Sequence, residues 1–319
     1  MVRNAGGVAK ASAPASIGNV GPGFDIVGQA FDAARDTVTA VRESEPGVRL
    51  GEVSGLVESL PARTADNTAL AAAAAVLEAA GAGFGIRISI DKGVPVAAGM
   101  GGSAASAVAA AVAANALLDR PFEHRELFAF ALEGERAASD PPPWDNVMAS
   151  LLGGLVLAAR TAPPALVSLP VPAGIVSILL HPDVRIETRA ARSLLSAQVP
   201  MDVVVEHSRR LAAFAAGCAG GDLDLIRAGL EDVLVEPQRE PLLPALPAVK
   251  RAALAAGALG CSFSGSGPSV FAWAPEAAAG DVERAMARAF SEAGLDARAW
   301  RAPIDSAGAR LEPAAEPIR

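Results

Sequence analysis

The 319-residue chain has no tyrosine, three histidines, two cysteines and 4% aromatic residues. Cys218 and Cys261 stand far apart, so they form neither a disulfide framework nor a Cys-x-x-Cys metal site. As small buried hydrophobes they fit a reducing compartment. His124, His181 and His207 occur in unrelated contexts, and no nucleophile–His–Asp arrangement can be argued from them. No apolar run reaches membrane-spanning length, since Asn115 interrupts the long alanine-rich stretch. Residues 1–10 lack the apolar core of a signal peptide. The expected setting is cytoplasmic, without a membrane partner. A net charge of −8 argues against nonspecific nucleic-acid binding.

What is present is a core-forming composition, 51% hydrophobic and 19% charged, in a chain long enough for about two domains. Residues 93–106 carry no charge but hold Gly99, Gly101, Gly102 and Ser103, followed by an alanine-rich run to Leu118 free of proline and glycine. The run has high helix propensity, so the glycines lead into a helix N-terminus. There the first backbone N–H groups lack intrahelical partners and the dipole is positive. The product is an anion cradle suited to phosphate; a bare strand–helix turn is the plainer alternative. A Walker loop is excluded, because no Lys-Ser/Thr follows the glycines. A dinucleotide fingerprint fits only in part, since Asp119 directly follows the helix rather than ending a second strand. With no cation in the loop, a divalent metal is expected to neutralise much of a bound polyphosphate.

Along the chain, alternation around 35–50 and 84–90 reads as strands, with Ile86, Ile88 and Ile90 on one side. Asp66-Asn67-Thr68 caps a helix that Gly81 ends. Further helices are expected at 122–138, 188–198, 201–218, 222–234, 245–256 and 276–293, and strands at 151–157, 175–180, 269–273 and 296–301. The proline-rich 160–174 segment reads as a linker, and 304–319 as a mobile tail. Hairpins mixed with helices indicate α+β rather than a doubly wound sheet.

Residues Pro95, Val96, Ala97, Ala98, Gly99, Met100, Gly101, Gly102, Ser103, Ala104 and Ala105 resemble the phosphate loop of the GHMP small-molecule kinases. Ala13-Pro-Ala-Ser-Ile-Gly-Asn19-Val-Gly-Pro-Gly-Phe-Asp25 resembles the N-terminal signature of the homoserine kinases, and Gly260-Cys-Ser-Phe-Ser-Gly265-Ser-Gly267-Pro268 resembles the superfamily's C-terminal glycine motif. Glu135, Asp145-Asn146, Thr188 with Arg192, and Glu236-Pro237 with Arg239 extend the similarity. The resemblance implies an α+β, two-domain GHMP kinase fold. Residues 1–168 would form the phosphate-loop domain and 169–319 a ferredoxin-like domain, with the site between them.

The resemblance further implies ATP-dependent phosphorylation of the homoserine hydroxyl in threonine biosynthesis, with Mg2+ as the metal. The loop, Gly265 and Gly267 would hold the nucleotide, with Asn67 near the adenine. Ser103 and Glu135 would hold Mg2+, and Ser103, Glu135 and Asn146 would form the catalytic set. Asn19, Asp25, Thr188, Arg192 and Arg239 would bind the amino alcohol, the arginines clamping its carboxylate. Plainer readings are Asx-turn chemistry for Asn19 and Asp25, and a solvated helix face for the arginines. Pro143 stands where the family has histidine, and Gly102 where a serine is common. The indole N–H of Trp144 is the nearest candidate donor to stand in for that histidine, with a ring that only plugs the core as the plainer reading. Another GHMP enzyme, such as a mevalonate-pathway kinase or diphosphomevalonate decarboxylase, and a non-catalytic ligand sensor are the alternatives. A homodimer is compatible with the reading.

Overall fold

The computed structural model describes residues 7–313. The first sheet is built on β1 (Val8–Gly18) and β2 (Val27–Glu43), a long antiparallel pair whose register shifts between Pro14 and Ala15. β3 (Gly47–Gly55) precedes α1 (Thr68–Ala79) and β4 (Gly85–Lys92); β4 pairs antiparallel with β2 and parallel with β3. Next come α2 (Gly102–Asn115), α3 (Leu127–Glu135) and α4 (Trp144–Leu152). β5 (Leu155–Thr161) and β6 (Pro164–Leu169) then form a hairpin joined to the sheet through β2.

Local sequence accounts for these elements. Asn67 caps α1, its Oδ1 accepting from the N–H groups of Ala69 at 3.0 Å and Leu70 at 3.3 Å. Ile86, Ile88 and Ile90 are all buried on one face of β4. α2 is buried from Ala104 to Asn115; its alanines let it approach α1 and the sheet closely, which fixes where its N-terminus points.

The second sheet comes from β7 (Ile175–Pro182), β8 (Gly260–Phe263), β9 (Val270–Pro275) and β10 (Ala297–Pro303). Between β7 and β8 lie α5 (Thr188–Ser193), α6 (Met201–Gly220), α7 (Leu223–Gly229), α8 (Glu236–Arg239) and α9 (Leu246–Ala255); α10 (Ala279–Glu292) precedes β10. The antiparallel order β10-β7-β9-β8 is that of a ferredoxin-like sheet. Val249 of α9 and Met286 and Phe290 of α10 pack on it in one core with Ile178 and Leu180.

Several expectations are corrected. The 160–174 linker is largely the β5–β6 hairpin, because Pro164 opens a strand with one neighbour, where a missing N–H is tolerated. The strand expected from 151 begins at Leu155, since Leu151 and Leu152 finish the last turn of α4. The helices expected over 122–138, 188–198 and 222–234 are shorter, spanning Leu127–Glu135, Thr188–Ser193 and Leu223–Gly229. The described part of the supposed tail is folded. Ile304 is buried, the Gly154 N–H donates to Ser306 O, and β11 (Arg310–Leu311) pairs with β1. Residues 314–319 lie outside the described residues.

Candidate active site

A cavity of about 340 Å³ opens where the loop before α2 meets α4, α5 and α8. Its floor is the turn that delivers the chain into α2. Ala97, Gly99 and Gly101 take positive φ there, 55°, 70° and 63°. A Cβ on Gly101 would lie 2.0 Å from Ser16 Oγ, and one on Gly99 would lie 2.6 Å from Ser264 O. Both positions therefore need glycine for backbone conformation and for space. The loop is fastened from behind. Ser16 N donates to Met100 O at 3.0 Å, Ser264 Oγ to Gly99 O at 2.6 Å, and Ser269 Oγ to Ala98 O at 2.5 Å. The carbonyls of Ala98, Gly99 and Met100 are thus engaged, and Gly102 and Ser103 of the first turn of α2, whose N–H groups have no intrahelical partner, line the cavity.

Beside that terminus, Ser103 Oγ donates to Glu135 Oε2 at 3.0 Å. Glu135 Oε1 is buried and has no partner among the described residues. Burial lifts the Glu135 carboxyl to about 7, against the Ser103 hydrogen bond and the Lys92 charge, which favour ionisation. A buried carboxylate oxygen without a protein partner is a position for a ligand from outside the chain.

Across the cavity lining, Asn19 and Asp25 sit in a turn with positive φ, 68° and 58°. Asp25 N donates to Asn19 Oδ1 at 3.3 Å, and Arg192 Nη2 reaches both Asp25 carboxylate oxygens at 3.1 Å. Arg239 is buried, donating to Gly265 O at 3.1 Å and standing over the Phe24 ring at 5.2 Å. Burial pulls its guanidinium below the usual range. Thr188 Oγ1 meets Ser266 Oγ at 3.3 Å. Asn146 is held at both ends: Ser16 Oγ donates to its Oδ1 at 2.9 Å, and its Nδ2 donates to Asp145 Oδ1 at 3.1 Å. Asp145 is buried and its carboxyl is raised, first by desolvation and then by Asp25.

Residues 67–154 match the GHMP kinases N terminal domain and residues 211–292 the GHMP kinases C terminal domain. Homoserine kinase of Xylella fastidiosa (strain 9a5c) is 46% identical over 304 residues, 95% of this chain and 94% of that protein. The crystal structure of homoserine kinase from Cytophaga hutchinsonii superposes with a TM-score of 0.93 at 36% identity, covering 98% of this chain and 99% of that one. The chain belongs to the GHMP kinases, in the homoserine kinase family. L. major mevalonate kinase, at 16% identity and a TM-score of 0.67 over 94% of this chain and 96% of that one, shares the fold alone.

Within this kinase the cavity gathers Asn19, Asp25, Asn67, Val96 to Ser103, Glu135, Asn146, Thr188, Arg192, Arg239 and Gly265. It does not gather all the expected residues. Pro95 lies on the far side of the loop, Ala104 and Ala105 are buried in the core, and Gly267 packs against Phe263. Asn67 lines the cavity, but its Oδ1 caps α1 and its Nδ2 donates to Pro61 O at 2.8 Å. Trp144 is not a lining residue. Its ring packs edge-on against Phe128, centroids 5.0 Å apart, so it does not replace the family's histidine; Pro143 itself faces the cavity.

Sequence reasoning missed a buried charge cluster under the loop. Lys92 pairs with Asp36, both almost wholly buried. Lys92 Nζ also donates to Gly102 O at 2.8 Å and Ser106 Oγ at 3.0 Å, while Asp36 Oδ1 accepts from Gly93 N at 3.1 Å and Val94 N at 3.0 Å. The signal was present: the alternation that buries Ile86, Ile88 and Ile90 also turns Lys92 inward, as Val38 and Ala40 do for Asp36.

Gly101→Ala is expected to abolish measurable ATP affinity, because its Cβ would enter the Ser16 hydroxyl at a left-handed φ. Isothermal titration with ATP reads this directly. Binding within twofold of the wild type would show that the loop can relax around a side chain.

Proposed function

We propose that this chain transfers the γ-phosphoryl group of ATP to the hydroxyl of L-homoserine, giving O-phospho-L-homoserine and ADP for threonine biosynthesis. The observation that carries the reading is that one cavity holds both an uncharged phosphate cradle and a pair of arginines with an aspartate. The first suits a polyphosphate and the second an amino acid zwitterion.

In this reading the loop N–H groups bind the β- and γ-phosphates. Mg2+ fits Ser103 and Glu135, whose buried Oε1 is free to take a ligand, and when bound it supplies charge neutralisation for the phosphates. Among the described residues no cluster of three His, Cys, Asp or Glu side chains could hold a metal alone, so a cation held by Ser103 and Glu135 would depend on the bound phosphates as well. Arg239 and Arg192 take the homoserine carboxylate and Asp25 its ammonium, the substrate replacing the Asp25–Arg192 ion pair with two pairs of its own. Asn146 orients the hydroxyl, and Asn19 and Thr188 border the same subsite. Phosphoryl transfer then rests on alignment and charge neutralisation, the acceptor proton leaving late toward phosphate.

The same reading divides the chain at 168/169, one residue before β6 ends at Leu169; the second sheet follows, and β11 returns to the first sheet. It assigns a cytoplasmic biosynthetic role; among the described residues no helix is long and apolar enough to cross a membrane.

A coupled ADP-release screen over homoserine, serine, threonine, mevalonate and shikimate tests the substrate. Turnover concentrated on homoserine is expected, and preference for mevalonate would overturn the reading. The clamp is tested separately. Arg239→Leu or Arg192→Leu should raise the homoserine KM about ten- to a hundredfold, from the loss of a charged hydrogen bond. The ATP KM should hold. An unchanged homoserine KM in both variants would move the carboxylate site elsewhere.

A further inference from the structure

Ser16 is fully buried on β1 and is not among the residues lining the cavity, yet it joins the two halves of the site. Its backbone N–H donates to Met100 O at 3.0 Å, fixing the phosphate loop one residue before the last turn into α2. Its hydroxyl donates to Asn146 Oδ1 at 2.9 Å. The same hydroxyl fills the space beside Gly101, where a Cβ would come within 2.0 Å of it and within 2.9 Å of Asn146 Oδ1. One small side chain thus touches the end of the phosphate cradle and the amide assigned to the acceptor.

The hydrogen-bond pattern decides which way that amide faces. Asp145 Oδ1 accepts from Nδ2 and so selects the orientation of the Asn146 group, and the Ser16 hydroxyl, able to donate or accept, then holds Oδ1 from the other side. In that orientation, one N–H of Nδ2 is used by Asp145 and the second stays available. Without the hydroxyl, the amide is anchored on the Asp145 side alone, and the group gains rotational freedom.

We propose that Ser16 is a positioning residue that locks the Asn146 amide and sets its distance from the phosphate loop, so that the acceptor hydroxyl lies in line with the transferring phosphoryl group. The proposal rests on the assignment of Asn146 to the acceptor subsite. Ser16 acts through Asn146 rather than on substrate, so its removal should damage alignment while the backbone cradle persists. Misplacement of a reacting group by about an ångström costs on the order of a hundredfold.

The test is Ser16→Ala, alone and combined with Asn146→Ala, with folding checked by circular dichroism. Ser16→Ala should lower kcat about ten- to a hundredfold with the ATP KM within twofold. It should also raise the fraction of ATP hydrolysed to water rather than transferred to homoserine. In the Asn146→Ala background the same substitution should cost little more, as coupled residues are not additive. Equal losses in both backgrounds, or an ATP KM rising in step with the fall in kcat, would place the effect in the loop and overturn the proposal. A second readout does not depend on the substrate. In asparagine-labelled protein the Asn146 side-chain amide resonances, assigned by their absence in Asn146→Asp, should shift or broaden in Ser16→Ala. Unchanged resonances overturn the locking role even if homoserine is the substrate. A shift without any homoserine turnover in the wild type would leave the lock standing and overturn the substrate assignment instead.

Discussion

Glu135→Gln is expected to lower kcat by about two to four orders of magnitude while leaving the folded state no weaker than the wild type. The two halves of this result have one origin. Glu135 is buried, Ser103 holds one of its oxygens, and the other is orphaned. Ionised, it supplies a negative charge where a phosphate-bound cation belongs; glutamine keeps the shape and the Ser103 partner but not the charge. The protein without nucleotide should carry that charge at a cost. Its carboxyl is raised from 4.5 to about 7 in the folded protein, so the folded state holds a proton that the unfolded state has released. The associated stability is present in full below about 4.5 and is lost as pH rises toward about 7. Urea unfolding without nucleotide should therefore show wild-type stability declining across that window and a flatter profile for Glu135→Gln. Turnover of the wild type should vanish with a chelator and return with Mg2+. Wild-type-like kinetics in the variant would remove Glu135 from the site, and identical pH profiles would show that its carboxyl is not desolvated.

How far the site could be read in advance depended on whether a residue's partner was local. Asn67 at the start of α1 needs only residues two and three positions on, and the cap was legible for that reason. The turn into α2 was legible because its glycines and the alanine run adjoin each other. Ser103 and Glu135 were paired through family resemblance, not spacing, and they do meet. Trp144 stayed open between a donor at the acceptor pocket and a core plug, because side-chain chemistry alone does not give direction; the first turn of α4 turns that ring onto Phe128. Pro163 and Pro164 suggested a break, although a strand with only one neighbour accepts such residues. The end of the chain looked structureless because two paired residues are too few for a periodic signal; β1 supplied the edge that orders them. The Asp36–Lys92 pair needed the β2–β4 register as well as the alternation, and Ser16 meets an amide 130 positions away.

The Asp36–Lys92 pair carries the other large expectation. Asp36→Asn should destabilise the protein by about 3–5 kcal/mol, because it leaves the Lys92 ammonium buried without its counter-charge. Asparagine can still accept from Gly93 N and Val94 N through Oδ1, as the aspartate does, so the loss isolates the charge rather than the turn. Adding Lys92→Met to Asp36→Asn should recover most of that stability, since a buried pair replaced on both sides is far less costly than one broken on one side. Function should not recover with it. Lys92 holds Gly102 O and Ser106 Oγ at the start of α2 while Asp36 holds the loop entrance. The pair therefore clasps both ends of the phosphate loop, and the double variant should keep a raised ATP KM with a nearly unchanged homoserine KM. Urea midpoints and steady-state kinetics on the three proteins separate the outcomes. Near-wild-type stability in Asp36→Asn would mean that water reaches the ammonium. Full recovery of ATP affinity in the double variant would mean that the hydrogen bonds from Ser16, Ser264 and Ser269 hold the loop unaided.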